Sequence, residues 1–373
     1  MWPFSKPKAF LGVDIGAGGI KIVELRQQKS RPVLFTYGFT SEARNVHDLL
    51  DSATPLSPAD IGYNEAKVQG TISDEHLFQY AEAITQICAQ AKTVSKTAVV
   101  SLPVSAVFHA LVTLPEMKKE DFNTSLRAEI KKLLPRPLEE MALDYQIVKS
   151  TNPEDKNQRV LVNAVPGELV QFYSKVFHQA GLTLDALEPE SSALTRSLVG
   201  KDNAVTMLID IGAERTNFFI IDNAVPVTNH SIEIGGNKIN AILQAKLGVK
   251  DADAEQIKLD LSINNIGSME AKNAFIKMLM PVIDPIEKEI EYSFGLYIRQ
   301  SGNENRRPEK IVLTGGSALL PGIADYLSNK FQIKCFVGDP WARAVYQDGI
   351  RPLLQDIGPR MSVAIGLALR NMV

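Results

Sequence analysis

The sequence predicts an α/β chain of two lobes facing each other across a cleft, with a small α+β unit inserted in the first lobe. Three observations carry this. The opening FLGVDIGAGGIKIVEL, from Phe10, is echoed by TMLIDIGAERTNFFII, from Thr206. Each copy is an apolar strand, then Asp-Ile-Gly, a short turn and a second apolar strand. A third strand, KIVLTGG, feeds a glycine pair late in the second half, and a self-contained run of strands and helices fills 104–183.

Taken in order, residues 9–15, 20–26 and 32–40 are short Val/Ile/Phe-rich runs separated by glycine or polar turns, which predicts a three-strand meander. Residues 42–73 carry Pro55, Pro58, Gly62 and Gly70 and read as a long surface loop. Leu77, Tyr80, Ala81, Ile84, Ile87 and Cys88 recur at helical spacing, so 74–92 reads as an amphipathic helix. The strand TAVVSLP follows. Within 104–183 the order is strand, helix, strand, strand, helix, and TLDALEPESSALTRSL then returns to a strand and a helix. From Ala204 come three more strands, with a turn expected at Asp222-Asn223. Helices fill 237–302, KIVLTGG and a helix follow, and MSVAIGLALR is an apolar terminal helix. The implied units are 1–103, the insert 104–183, a return 184–203, a second lobe 204–357 and a last helix 358–373.

With 373 residues, 45% hydrophobic and 22% charged, the chain has a globular composition and enough length for more than one unit. A net charge of −3 with no basic block argues against a nucleic-acid partner. Cys88 and Cys335 stand far apart and five scattered histidines give no ligand spacing, so reduced, packed thiols and a reducing cytoplasm are expected. No apolar run approaches the ~20 residues that span a bilayer. The start, MWPFSKPKAF, is too short and too interrupted by proline for a signal peptide and is expected to fray.

The chemistry of the echo is direct. A tight glycine hairpin lines up backbone N–H groups that cradle phosphate oxygens. An aspartate ending the first strand repels phosphate but orients water around a Mg²⁺ ion. Two such hairpins, carrying Asp14 and Asp210, would clamp a nucleotide's phosphates from both sides. Gly315-Gly316-Ser317 let backbone approach a flat ligand closely, with a helix expected directly after them. The Walker spacing Gly-x-x-x-x-Gly-Lys-Ser/Thr is absent.

Two phosphate hairpins followed by a Gly-Gly loop resemble the actin/Hsp70/sugar-kinase superfamily, an actin-like (ribonuclease H-like) two-lobed fold. Within it, SLPVSAVFHALVTLPEMKKEDFNTSLRAEIKKLLPRPLEEMALDYQIV, SIEIGGNKINAIL and PVIDPIEKEIEYSF are similar to the PilM family of type IV pilus assembly proteins. The first is similar to the insertion that this family shares in position with the cell-division protein FtsA. The resemblance implies ATP and Mg²⁺ as ligands, with Asp14 and Asp210 at the metal. Asp14, Gly16, Ala17, Gly18, Gly19 and Lys21 fall in the first phosphate motif, and Asp210, Gly212 and Thr216 in the second. Gly235 and Gly236 match a helix-opening pair, Gly315, Gly316 and Ser317 the adenosine loop, and Glu287, Glu289 and Ser293 a helix that reaches the ribose. Glu188 falls where relatives place the acid that works on the attacking water, or else it caps the connecting helix.

Two departures stand out. Relatives carry serines where this chain has Ala17-Gly18-Gly19, and arginines where it has Glu291 and Tyr292. With no arginine evident beside the cleft, slow or absent turnover is expected. The implied partners are the short cytoplasmic tail of a PilN-like inner-membrane protein and other platform and motor components, with self-association open and attachment to the inner membrane through partners. An FtsA-like filament would need an anchor beyond GLALRNMV. A kinase would need a catalytic aspartate in the first lobe, for which Asp144 is the candidate. A type II secretion protein would continue into a membrane span.

Overall fold

Two five-stranded sheets laid down in the same order form the lobes, in a computed structural model that describes residues 8–40, 74–148, 157–263, 268–300, 303 and 306–372. The expected frayed start and the loop 42–73 lie outside the described residues.

The chain opens with β1 (Ala9–Gly16), β2 (Gly19–Gln28) and β3 (Arg31–Phe39), then α1 (Asp74–Gln90) and β4 (Thr97–Leu102). The insert holds β5 (Phe108–Pro115), α2 (Lys119–Leu133), β6 (Met141–Val148) and β7 (Asn157–Pro166). After α3 (Gly167–Gln179) the chain returns through β8 (Thr183–Pro189) and α4 (Glu190–Leu194), which runs on into a π-turn at Thr195–Val199. The second half has β9 (Thr206–Ile211), β10 (Thr216–Asp222) and β11 (Val225–Ile232). Next come α5 (Gly236–Leu247), α6 (Asp251–Ile263), α7 (Met269–Met278) and α8 (Met280–Ile298). Finally come β12 (Lys310–Thr314), α9 (Ile323–Phe331), β13 (Lys334–Val337) and α10 (Arg351–Ala368).

The sheet orders are β3-β2-β1-β4-β8 and β11-β10-β9-β12-β13. In each, the echoed hairpin is antiparallel and the next two strands add parallel to its first strand. The sequence repeat is thus a repeat of topology. Parallel strands buried on both faces explain the unbroken apolar runs of β4 and β12. The hairpin turn after β10 falls on Asn223-Ala224, both left-handed at φ 49° and 60°, one residue later than expected. Asp222 instead pairs with Val225 and is held by Arg306 at 2.6 and 2.8 Å.

Between the sheets, Ala193, Leu194, Leu208, Phe219, Val363 and Leu367 form a shared core that ties the lobes together. Here α4 and α10 cross at Gly366, where a Cβ would lie 2.0 Å from the Ala193 carbonyl oxygen. Only glycine permits that approach. Helix α10 begins at Arg351, earlier than the 358 expected from its apolar run, and carries Pro359 within it.

The insert is a sheet of order β5-β7-β6 with its own core of Val112, Phe122, Leu126, Ile130, Val160 and Val162 under α2. Helix α3, expected as the insert's second helix, turns Leu169, Phe172, Tyr173, Val176 and Phe177 into the first-lobe core beside Tyr80 and Ile84. It packs against α1, where the Phe172 ring meets Tyr80 edge-on at 5.9 Å. Cys88 and Cys335 are free, partly buried thiols packed against the two lobe cores, and burial pushes Cys335 up to about 12. Among the described residues no helix is long and apolar enough to cross a membrane.

Candidate functional site

The two echoed turns meet at one cleft of about 370 Å³, lined by Asp14, Gly16, Ala17, Gly18 and Lys21 from the first hairpin and Asp210, Gly212 and Asn217 from the second. That volume is in the range of small-ligand sites. The strand registers are equivalent: Asp14 stands opposite Lys21, and Asp210 opposite Asn217. Lys21 Nζ lies 3.4 Å from Asp14 Oδ2, and the Ser101 hydroxyl donates to Asp14 Oδ1 at 2.8 Å. Asn217 Nδ2 is shared between Asp210 Oδ2 at 3.4 Å and Glu190 Oε2 at 3.3 Å.

Three carboxylates therefore converge on the cleft floor. Burial, then the Asp14 charge, pushes Asp210 up to about 6, with Lys21 and Asn217 opposing. Glu190 is raised well above the usual carboxylate range by burial and by Asp14 and Asp210, while Lys21 and the Val104 backbone N–H oppose the shift. A site that crowds negative charge in this way favours a cation.

Gly315 closes the cleft from the second lobe. It is left-handed at φ 90°, and a Cβ there would lie 2.5 Å from Asp210 Oδ1 and 2.4 Å from the Ile211 carbonyl oxygen. Gly316 and Ser317 also line the cleft. The helix expected directly after Ser317 starts only at Ile323, too far for its dipole to act on a ligand at the glycines.

Several expected residues support the site from behind. The Thr216 hydroxyl donates to the Ile234 carbonyl at 2.6 Å and the side chain is fully buried. Gly236 N donates to Gly212 O at 2.9 Å and Asn237 N to Ala213 O at 2.7 Å, so Gly235-Gly236 pin the second turn. Gly19, φ 101°, sits where the first turn enters β2.

Others lie elsewhere. Glu188 does not line the cleft: both carboxylate oxygens are gripped by Arg196, whose guanidinium also donates to Gly366 O at 2.5 Å. The acid deep in the cleft is Glu190, two residues on, where β8 has ended and α4 turns its first side chain inward. Glu287 accepts from Tyr326 Oη at 2.6 Å and pairs with Lys330 at 2.8 Å, fastening α8 to α9. Glu289 pairs with His230 at 2.9 Å, and the buried Ser293 hydroxyl donates back to the Glu289 carbonyl at 2.7 Å. None of the three lines the cleft; Asn240, Glu255 and Lys258, from α5 and α6, do. Asp144 is exposed on β6 and offers a kinase reading nothing. The expectation of a cleft without arginine is also corrected, because Arg215 and Arg360 both line it.

The missed residues left unequal signals. Asn217 was visible as the counterpart of Lys21 in the echo. Arg360 was visible as the cation directly before the apolar run MSVAIGLAL. Glu190, Asn240, Glu255 and Lys258 left none, because only the packing of α4, α5 and α6 brings them to the cleft.

Two equivalent lobes, an echoed hairpin in each and a glycine loop over the floor define an actin-like fold with a cleft between its lobes. A chain of EutJ, an ethanolamine utilization protein from Carboxydothermus hydrogenoformans, superposes with a TM-score of 0.54 at 15% identity, over 99% of this chain and 91% of that one. A chain of the PilM-PilN type IV pilus biogenesis complex superposes with a TM-score of 0.75 at 22% identity, over 98% of each chain. The chain belongs to the family of type IV pilus assembly proteins PilM, whose model matches residues 63–372. It is also similar to the cell division protein FtsA of Borreliella burgdorferi, 26% identical over 209 residues, covering 52% of this chain and 49% of FtsA. FtsA of Neisseria meningitidis is 25% identical over 218 residues, covering 53% and 50%. The chain thus spans about half the length of the curated relatives it matches.

Proposed function

We propose that the chain is an ATP-binding adaptor of a type IV pilus assembly platform, held at the cytoplasmic face of the inner membrane by its partners. Its cleft takes Mg·ATP, and its first lobe and insert take the short cytoplasmic tail of a PilN-like membrane protein. The observation that carries the nucleotide half is the meeting of both Asp-Ile-Gly turns and the Gly315 loop on one cleft floor.

The residues fit such a ligand. Backbone N–H groups of Gly16–Gly19 and of the turn after Gly212 suit phosphate oxygens. Asp14 and Asp210 would hold a Mg²⁺ ion, whose charge would offset their mutual repulsion and that of the phosphates. Gly315, where no side chain fits, suits a closely packed nucleoside.

Coupling to the tail rests on Val104. It lines the cleft together with Glu190, on whose carboxylate its backbone N–H acts, and it begins the turn that leads into β5 of the insert. A change at the cleft floor therefore reaches the root of the insert through Val104, which lines the one and begins the other. ATP then acts as a conformational ligand, biasing the state that receives the tail by its differential affinity.

The test is the affinity of a PilN-like tail peptide for the full chain with and without Mg·ATP, beside steady-state phosphate release. Slow release with nucleotide-dependent peptide affinity is expected. Peptide affinity that ignores Mg·ATP would remove the coupling, and rapid release that collapses in Glu190→Gln would make the chain an ATPase first.

A further inference from the structure

We propose that Arg360 is the phosphate-charge sensor of this cleft: its guanidinium binds the nucleotide's polyphosphate and sets the preference for nucleotides with more phosphates. The inference rests on the nucleotide reading above and adds to it a cation that neither hairpin motif contains.

Arg360 lies on α10, the helix that packs against the first lobe, yet its side chain lines the cleft next to the second-lobe loop. Its Nη2 is 3.9 Å from the position a Cβ would take on Gly316. On its other side the guanidinium stands over the Phe39 ring, 5.7 Å from the centroid. It thus reaches across the mouth of the site from one lobe to the other.

What it lacks, among the described residues, is an anion. Arg196, Arg215 and Arg306 are each ion-paired, to Glu188, Glu233 and Asp222. Arg360 has no ion pair or hydrogen bond to any described residue; Phe39 is its contact, and Glu255 acts on it only through space. Burial pushes its proton affinity down, the cost of a guanidinium in a partly enclosed site without a partner. An always-charged planar fork held open toward a concave site is the side chain best suited to bind phosphate oxygens. It also answers one departure in the sequence, since it supplies from the terminal helix a donor that the serine-less first turn does not.

The phosphates need such a cation for a further reason. The cleft floor is acidic, and Mg²⁺ compensates only the charge it touches. A guanidinium lining the same cleft lowers the remaining repulsion, and does so in proportion to the phosphate charge it faces.

The test uses the full chain, titrated calorimetrically in Mg²⁺ with ATP, ADP, AMP and adenosine, for the wild type, Arg360→Ala and Arg360→Lys. Arg360→Ala is expected to weaken ATP binding at least tenfold, ADP less, and adenosine not at all, with Arg360→Lys recovering part of the loss. The ligand-free melting temperature of Arg360→Ala should be unchanged or raised, because an unpartnered cation is removed; a purely structural arginine would lower it. Wild-type ATP affinity in Arg360→Ala overturns the proposal alone. So does an equal loss for ATP and adenosine, which would make Arg360 a base or ribose contact. A wild type that binds none of the four overturns the nucleotide reading and this proposal with it.

Discussion

Replacing Asp210 by Asn is expected to stabilise the ligand-free protein at neutral pH while removing Mg²⁺-dependent ATP binding. Asp210 is raised from the ordinary 3.8 to about 6 by burial and by Asp14. A carboxylate whose folded value is raised binds protons more tightly in the folded state. Its stabilising contribution is therefore complete below about pH 4 and is lost as pH rises through about 6. A shift of roughly two units corresponds to at most about 3 kcal/mol at pH 7.5. The carboxylate is nevertheless partly open to the cleft, and solvent there reduces the figure to about 1–2 kcal/mol. Asparagine keeps an oxygen to accept from Asn217 and carries no charge. Urea unfolding without Mg²⁺, at about pH 4.5 and about pH 7.5, should show the variant gaining more on the wild type at the higher pH. A variant less stable at pH 7.5, or a difference that ignores pH, would refute the reasoning. Calorimetry with Mg·ATP should show the opposite ranking, since the same charge that destabilises the empty cleft would hold the proposed ion.

Gly366→Ala should destabilise the chain by about 3 kcal/mol or more in thermal or urea unfolding, because its methyl meets the Ala193 carbonyl at the crossing of α4 and α10. Arg196→Ala should lower stability by about 3 kcal/mol by leaving Glu188 buried and unpaired, whereas ATP affinity per folded molecule, read by calorimetry, should hold. Glu190→Ala, which removes the carboxylate that Asn217 and Val104 face on the cleft floor, should leave tail-peptide affinity measurable but no longer responsive to Mg·ATP, as fluorescence titration would read.

How far the sequence could be read follows from which forces are local. Strand-turn-strand frames are local, and the repeated Asp-Ile-Gly exposed both hairpins, both sheet halves and two of the three carboxylates on the floor. The glycine loop was legible for the same reason. What failed depended on tertiary direction. Glu188 and Glu190 are two residues apart, and nothing in LEPESSAL says which one faces the cleft. The end of β8 and the first turn of α4 decide it, after which Arg196 claims Glu188. Helix α3 follows the insert's strands in sequence but buries its apolar face in the first lobe. Glu287 and Ser293 sit on a helix whose rotation turns both away from the cleft, one toward Tyr326 and Lys330, the other onto its own backbone.

The repeat is a repeat of frame and not of charge, and that difference gives the cleft its polarity. The first hairpin places Lys21 opposite its aspartate; the second places Asn217 there. Lys21 is thus the cation that holds down the proton affinities of both Asp210 and Glu190, while ion-pairing Asp14 itself. Removing it should act with the opposite sign to Asp210→Asn. In Lys21→Met three carboxylates share the floor without that counter-charge, and Asp210 should titrate above its present value of about 6. Breaking a largely buried pair costs about 3–5 kcal/mol, and the open cleft places this one at the lower end. The loss should be greatest at about pH 7.5 and shrink toward about pH 4.5, where the floor takes up protons. Because the two variants act on the same charges, the double variant Lys21→Met/Asp210→Asn should recover part of the loss, a coupling read by a double-mutant cycle in urea. Additive effects would mean that Lys21 and Asp210 do not share a field, and the cleft floor would not be the single electrostatic unit argued for above.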